Sequence, residues 1–281
     1  MQTIVRYWGR KPVELIEPYI LSYSKEGEVV LDPFAGSGST ILTALINRRR
    51  AIYNDLNQVA MIIAKASILR DQVNLALEKK YKDLYVINGK EVSYYVWEGD
   101  KIIKARLVDG SLIDCQCKDY EPDGIIPYWY PRAPLYYPNG KTFDIKRTVS
   151  RIDELFTKRN LLILSEILYE IERNYNVKSM ASFISILHEA SKMARLGGGA
   201  LGIPNFWIPY KRVEKNPYIL FEKKLKMFTQ VGGNYSVGIR DYVLNHVADV
   251  AFCDYDAKNL LLPDNSVDLV VTDPPFFDEI Q

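Results

Sequence analysis

The chain has 281 residues, 48% of them hydrophobic, enough to bury a sizeable core in one or two domains. Lysine and arginine total 36 against 35 acids, a formal net charge of +1, so bulk charge marks no polyanion-binding surface and any basic footprint must be local. No apolar run approaches the roughly 20 residues that span a bilayer, and Met1 to Tyr7 has no signal-peptide layout, so a cytoplasmic address without a membrane partner is expected.

In chain order, Arg10-Lys11-Pro12 opens the stretch Val13 to Ile20, and Val29-Val30-Leu31 then reads as a buried strand. That strand ends in Asp32-Pro33-Phe34-Ala35-Gly36-Ser37-Gly38 and gives way to an apolar-periodic helix, Ile41 to Ile46. Two glycines one residue apart, ahead of a helix start, let backbone approach a ligand and offer it free N–H groups. Gly-Ser-Gly is also ordinary loop chemistry. The turn lacks the Gly-Lys-Ser/Thr of a phosphate-binding loop and the third glycine of the dinucleotide fingerprint. Arg48 to Arg50 reads as a solvated helix end, and Ala51-Ile52-Tyr53 as a second strand leading to Asp55, where a doubly wound fold places a carboxylate near ribose hydroxyls.

From about residue 71 to 246 the sequence carries few motifs. Glu91 to Trp97 and Lys101 to Val108 are strand-like, and Asp109-Gly110 signals a hairpin. The Pro-, Gly- and Tyr-rich stretch from Tyr120 to Gly140 reads as an ordered loop, pinned by its tyrosines or offering them to splayed bases. Two helices follow, Asp153 to Tyr175 and Ser179 to Leu196, the second with a serine cap and with His188 as a packing residue. Basic residues gather at Lys141, Lys146, Arg147, Arg151, Lys158 and Arg159, and again at Lys211, Arg212, Lys215, Lys223, Lys224 and Lys226: solvated faces, or phosphate contacts. Cys115, Cys117 and Cys253 suit a reducing compartment better than a disulfide framework, and one Cys-x-Cys pair cannot close a four-ligand zinc site, so no metal is expected.

Towards the end, Val250-Ala251-Phe252 is a strand followed by Asp254 and Asp256, and Leu269-Val270-Val271-Thr272 is another that stops at Asp273-Pro274-Pro275-Phe276. Two prolines cannot continue a central strand, so Asp273 sits at a strand's carboxyl end, the edge where open α/β sheets bind ligands.

Asp-Pro-Phe-Ala-Gly-Ser-Gly after one strand and Asp-Pro-Pro-Phe after a later one resemble the two signature motifs of the amino-directed DNA methyltransferases, which methylate adenine N6 or cytosine N4. Arg10 to Ile20 is similar to the Lys-Pro helix block that precedes the glycine loop in that family. The resemblance implies an α/β, Rossmann-like S-adenosyl-L-methionine-dependent methyltransferase sheet with a large α+β insertion, acting on double-stranded DNA. It divides the chain into residues 1–70, the cofactor-binding half; 71–246, an inserted target-recognition region; and 247–281, a return carrying the catalytic motif. It assigns cofactor contacts to Lys11, Asp32, Pro33, Phe34, Gly36, Ser37, Gly38 and Asp55, with Asp256, more than Asp254, beside the adenine ring. Asp256 as a simple turn cap is an equal alternative.

An exocyclic amino nitrogen is a poor nucleophile, its lone pair being delocalised into the ring. Asp273 and the Pro274 carbonyl offer acceptors that favour a tetrahedral nitrogen, Pro275 stiffens the turn, and Phe276 stacks on the extruded base. Transfer is then direct, with no Pro-Cys nucleophile present. Phe276 stands where the family usually has Tyr, and the acid at Asp273 favours adenine over cytosine. Only four strands of the family's seven are legible, and the chain ends five residues after Phe276, so the expectation is the amino-terminal part of a longer or split enzyme, with the missing half on a second chain. Two other readings stay open: an RNA amino-methyltransferase, and a catalytically silent nucleic-acid- or partner-binding fragment.

Overall fold

The computed structural model describes residues 11–73, 75–115, 125–136, 139–141, 149–197 and 208–274. The chain divides into two compact units, Met1–Val73 with Met227–Gln281, and Asn74–Lys226.

The first unit begins with α1 (Val13–Tyr23), which turns Ile16 and Ile20 inward, and continues through β1 (Val29–Asp32), α2 (Ser39–Ile46), β2 (Arg50–Asn54) and α3 (Gln58–Ile68). Asn57 caps α3 by accepting from the Val59 and Ala60 amides, satisfying two of the donors a helix start leaves open. β1 is buried at all four positions, as expected of a parallel strand covered on both faces, and this is why Val-Val-Leu shows no alternation.

The second unit holds a short 3₁₀ turn, then β3 (Val86–Ile87), β4 (Lys90–Glu98), β5 (Lys101–Leu107) and β6 (Leu112–Asp114). The β5–β6 turn follows the Asp-Gly signal: Gly110 has φ +90°, and Asp109 accepts from the Ser111 amide at 2.8 Å and its hydroxyl at 2.6 Å. Those bonds and Lys90 hold the Asp109 carboxyl down at about 2. Then come α4 (Lys158–Arg173), α5 (Val177–Ala190), β7 (Lys211–Lys215) and α6 (Pro217–Thr229). The sheet is antiparallel in the order β3-β4-β5-β6, with β7 also on β4. Its core joins Tyr95, Trp97, Ile102 and Ala105 to Ile163, Ile167, Phe183, Ile186 and Phe221.

Both helices of this unit differ from the sequence reading at their starts. α4 begins at Lys158, capped by Thr157, because a 3₁₀ turn occupies Ile152–Leu155; α5 is capped by Asn176, and Ser179 is fully buried within it. Cys115 is disulfide-bonded, where the sequence reading preferred a reducing compartment to a disulfide framework.

The chain returns to the first unit through α7 (Arg240–Leu244), β8 (Val250–Cys253) and β9 (Leu269–Val270). Residues 227–246, placed in the insertion by the sequence reading, group with this unit. The reason is local bonding: Gly233 exchanges hydrogen bonds with Ile68 and Arg70, Gly238 donates to Val250, and Ser236 bonds Asp249. The sheet is wholly parallel in the order β8-β2-β1-β9, with Val30 opposite Ala51 on one side and Leu269 on the other. Ile41, Leu45, Ala64 and Ile68 cover one face; Val243 and Ala248 cover the other. The chain therefore runs outwards from β1 through β2 to β8, then crosses back to β9 on β1's opposite flank. That reversal of direction is a topological switch point, and in open α/β sheets the crevice at the carboxyl ends of such strands binds the ligand.

Candidate active site

Two loops leave the carboxyl edge at this switch point, one after β1 and one after β9. The first is built by its own backbone geometry. Gly36 and Gly38 have φ of +50° and +79°, which a side chain disfavours, and Gly38 packs so close to α3 that a Cβ would stand 2.9 Å from Ile68 Cδ1. Gly38 is the residue from which α2 starts. Its neighbour Ser39 carries a buried hydroxyl with no hydrogen-bond partner among the described residues.

The turn is clamped by the end of β2. Gly36 donates its amide to Asp55 Oδ2 at 2.8 Å, while its carbonyl accepts from the Tyr53 hydroxyl at 2.8 Å. Asp55 Oδ1 accepts from the Asn57 amide, so this half-buried carboxylate spans the glycine turn and the start of α3. Asn54 ties a third loop in. Its side-chain amide donates to the Pro33 carbonyl at 3.1 Å and the Tyr255 carbonyl at 2.9 Å, and its oxygen accepts from the Tyr255 amide at 2.9 Å. Sequence reasoning passed over Asn54 in favour of the acid beside it. The signal was present: an amide at the end of a buried strand is 1% exposed and must find partners.

Asp32 joins the two loops. Its carboxyl is 4% exposed and bonds the Phe34 amide, the Thr40 hydroxyl and the Thr272 hydroxyl beyond β9. Burial pushes its pKa above the usual carboxylate range, the three hydrogen bonds pull it back, and the nearby Asp55 charge adds to the rise. Asp273, next along, is exposed and meets Lys11 at 2.8 Å, with both side chains about half exposed at 52% and 48%. The glycine turn, Lys11 and Asp273 thus come together on one edge.

The remaining predicted residues spread around this centre. Phe34 is exposed at the loop's tip, Pro33 and Ser37 are half-buried, and Pro274 is exposed. Asp256 accepts from the Lys258 amide at 2.9 Å. Pro275 and Phe276 lie outside the described residues. Cys253 ends β8 and is half-buried, with burial raising its thiol pKa.

The second unit dismantles much of the expected basic footprint. Arg159 and Glu214 form an ion pair at 2.8 Å with 5% and 3% of their side chains exposed, and Arg159 lies over the Tyr95 ring at 4.5 Å. Arg212 is buried over Trp97; Lys211 pairs with Glu98, Lys215 with Glu189 and Arg151 with Asp153. Lys141, Lys158, Lys223 and Lys226 are exposed, Lys224 is half-buried, and Lys146 and Arg147 lie outside the described residues. The aromatic loop is pinned: Tyr128 packs on Tyr169 at 5.0 Å and edge-on to Tyr81. An apolar cavity of about 330 Å³ lies behind it, lined by Trp129, Leu155, Leu164, Phe183, Leu187 and Met193. Among the described residues no cluster of metal-ligating side chains occurs, and no helix is long and apolar enough to cross a membrane.

With this geometry in view, comparison with known proteins is specific for the glycine-loop segment. Residues 5–66 match the family model described as DNA methylase. The matched span takes in the glycine turn and the Lys-Pro block but not Asp273. The chain is 45% identical over 47 residues to the orphan methyltransferase M.BamHII of Bacillus amyloliquefaciens, covering 17% of this chain and 18% of that protein. It is 52% identical over 42 residues to YubD of Escherichia coli (strain K12), a methylase by its name, covering 15% of this chain and 18% of that one. The chain thus spans less than a fifth of the length of the curated relatives it matches. No solved structure matches.

The span matched by the family model takes in α1, the glycine turn and β2. Asp273 enters by the fold, carried to the same edge by β9.

Proposed function

We propose that this chain acts as an S-adenosyl-L-methionine-dependent DNA amino-methyltransferase, taking the exocyclic amino group of adenine as acceptor, with cytosine N4 as the alternative. The observation that carries the reading is the meeting, at the switch point, of the glycine turn with an exposed aspartate preceding a proline.

The cofactor suits the residues present. Gly36 and Gly38 keep the turn open to close approach, and the Ser39 hydroxyl at the start of α2 is an orphaned donor. Asp55 stands where ribose hydroxyls are held in doubly wound folds, and exposed Phe34 offers a ring face. When bound, the cofactor supplies an electrophilic methyl group. Acids dominate the edge: Asp32, Asp55, Asp254, Asp256 and Asp273 all end or follow parallel strands, a setting that favours a cationic ligand.

On the acceptor side, the Asp273 carboxylate and the Pro274 carbonyl each accept one hydrogen of the target amino group. Two acceptors drawn to one nitrogen pull its lone pair out of ring conjugation and towards the electrophile. Proline at 274 brings no amide hydrogen to compete for the aspartate. The base must leave the duplex to reach them. Positioning of this kind is the chain's main contribution to rate. No covalent enzyme intermediate is required, and the burial-raised Cys253 thiol is ill suited to be a nucleophile.

The test is transfer of labelled methyl from S-adenosyl-L-methionine to unmethylated double-stranded DNA, with an Asp273→Ala control. Label on adenine that disappears in the control supports the reading. Label that moves to RNA in a competition replaces DNA as the substrate. Cofactor binding by calorimetry without label on either nucleic acid leaves a silent binding protein.

A further inference from the structure

We infer that Lys11 is a shared cation, paired with Asp273 until the carboxylate of the bound cofactor takes its place, so that cofactor arrival frees Asp273 for the target base. The inference rests on the cofactor reading above and adds an order to it.

Three observations carry it. First, the Lys11 ammonium holds one oxygen of the proposed catalytic carboxylate at 2.8 Å. A carboxylate so engaged is a weaker acceptor for an amino hydrogen than a free one, because its charge is already neutralised. Secondly, the pair is shallow. Half-exposed ion pairs contribute little, because water and counter-ions compete for both partners, so a new anion displaces Asp273 at small cost. Thirdly, acids outnumber cations along the edge, where Lys65 and Arg240 lie at the β8 end, over the Phe252 and Tyr255 rings. Asp32, Asp55, Asp254 and Asp256 surround the strand ends and welcome the cationic portions of an aminoacyl sulfonium ligand, while repelling its single carboxylate. Among the described residues Lys11 is the cation held in an ion pair with an acid of that edge. It begins the run into α1, with only Pro12 between it and the helix, so its backbone is held close to Asp273.

The exchange makes a distinctive binding prediction, read by calorimetry on the whole chain. The ligands are S-adenosylhomocysteine and its decarboxylated analogue, which keeps the amine and thioether and lacks only the carboxylate. If Asp273 and the ligand carboxylate compete for Lys11, Asp273→Asn tightens S-adenosylhomocysteine by about fivefold and leaves the decarboxylated analogue unchanged. Lys11→Met weakens S-adenosylhomocysteine by a similar factor, and in that background Asp273→Asn has a much smaller effect. Both side chains are half exposed, so neither substitution opens the core.

The outcomes separate the two levels of the argument. Binding of neither ligand overturns the cofactor reading, and this inference with it. Binding of both ligands with no effect of Asp273→Asn overturns the exchange alone. An Asp273→Asn effect of equal size with and without Lys11 also overturns it, because the aspartate would then act on the ligand directly.

Discussion

Gly38→Ala tests the claim that the glycine turn is shaped by close packing as well as by backbone conformation. Gly38 has φ +79°, and an added Cβ meets Ile68 Cδ1 at 2.9 Å and Ala64 Cβ at 3.0 Å. The left-handed backbone costs a non-glycine residue about 1–2 kcal/mol. Forcing a methyl against two buried side chains of α3 costs about 1–3 kcal/mol more. The sum, roughly 2–5 kcal/mol, is a large share of a typical domain stability of about 5–15 kcal/mol. The two contributions separate in a double variant. Ile68→Val removes the Cδ1 atom and relieves part of the packing cost but none of the backbone cost, so Gly38→Ala should be milder by about 0.5–2 kcal/mol in that background. Urea unfolding, followed by hydrogen exchange at amides of β1 and β2, reads the first unit separately from the second. A Gly38→Ala loss below about 1 kcal/mol, or strict additivity with Ile68→Val, refutes the reasoning.

Three further outcomes follow from the same structure. Asp32 has a folded pKa raised chiefly by burial, so its contribution to stability is fully present below the unfolded value and lost as pH rises through the folded one. Asp32→Asn cannot titrate, so wild-type stability should fall relative to it just above the ordinary aspartate range; parallel urea midpoints across that window contradict this. Glu214→Ala leaves the Arg159 charge buried without its partner and removes the acceptor of Thr157 and Trp97, at a cost of about 3–5 kcal/mol in chemical denaturation. Gly232→Ala sets a Cβ at 2.3 Å from the Leu69 carbonyl at φ +103°, so Gly233 amide exchange should accelerate strongly, and an unchanged rate would show that the Leu69–Gly233 pairing is not held there.

Several features were legible in the residues because their causes are local. Val29–Leu31, Ala51–Tyr53, Val250–Phe252 and the start of Leu269–Thr272 are strands because short apolar runs end in residues that cannot continue them. Asp109-Gly110 turns the chain because glycine accepts the positive φ found there. The basic run Lys211–Lys215 was opaque for the opposite reason. Read alone, it is a solvated charge cluster; in the fold it is β7, with Arg212 stacked on Trp97 and Glu214 paired with Arg159. Charge predicts exposure only until a partner of opposite sign is supplied from elsewhere in the chain.

The same division runs through the candidate site. The sequence by itself determined that Asp32 ends a strand and that Gly36 and Gly38 open a turn, since neighbours along the chain impose those positions, whereas the strand read up to Thr272 stops at Val270 and leaves Asp273 in the loop beyond it. Which strands lie side by side was decided only by the tertiary structure. Placing β9 against β1 set Thr272 on Asp32 and Asp273 beside Lys11, and placing β8 against β2 brought Tyr255 to Asn54, 201 residues away in the chain. Strand order depends on burying both faces of the whole sheet at once, a condition that no local stretch of residues contains.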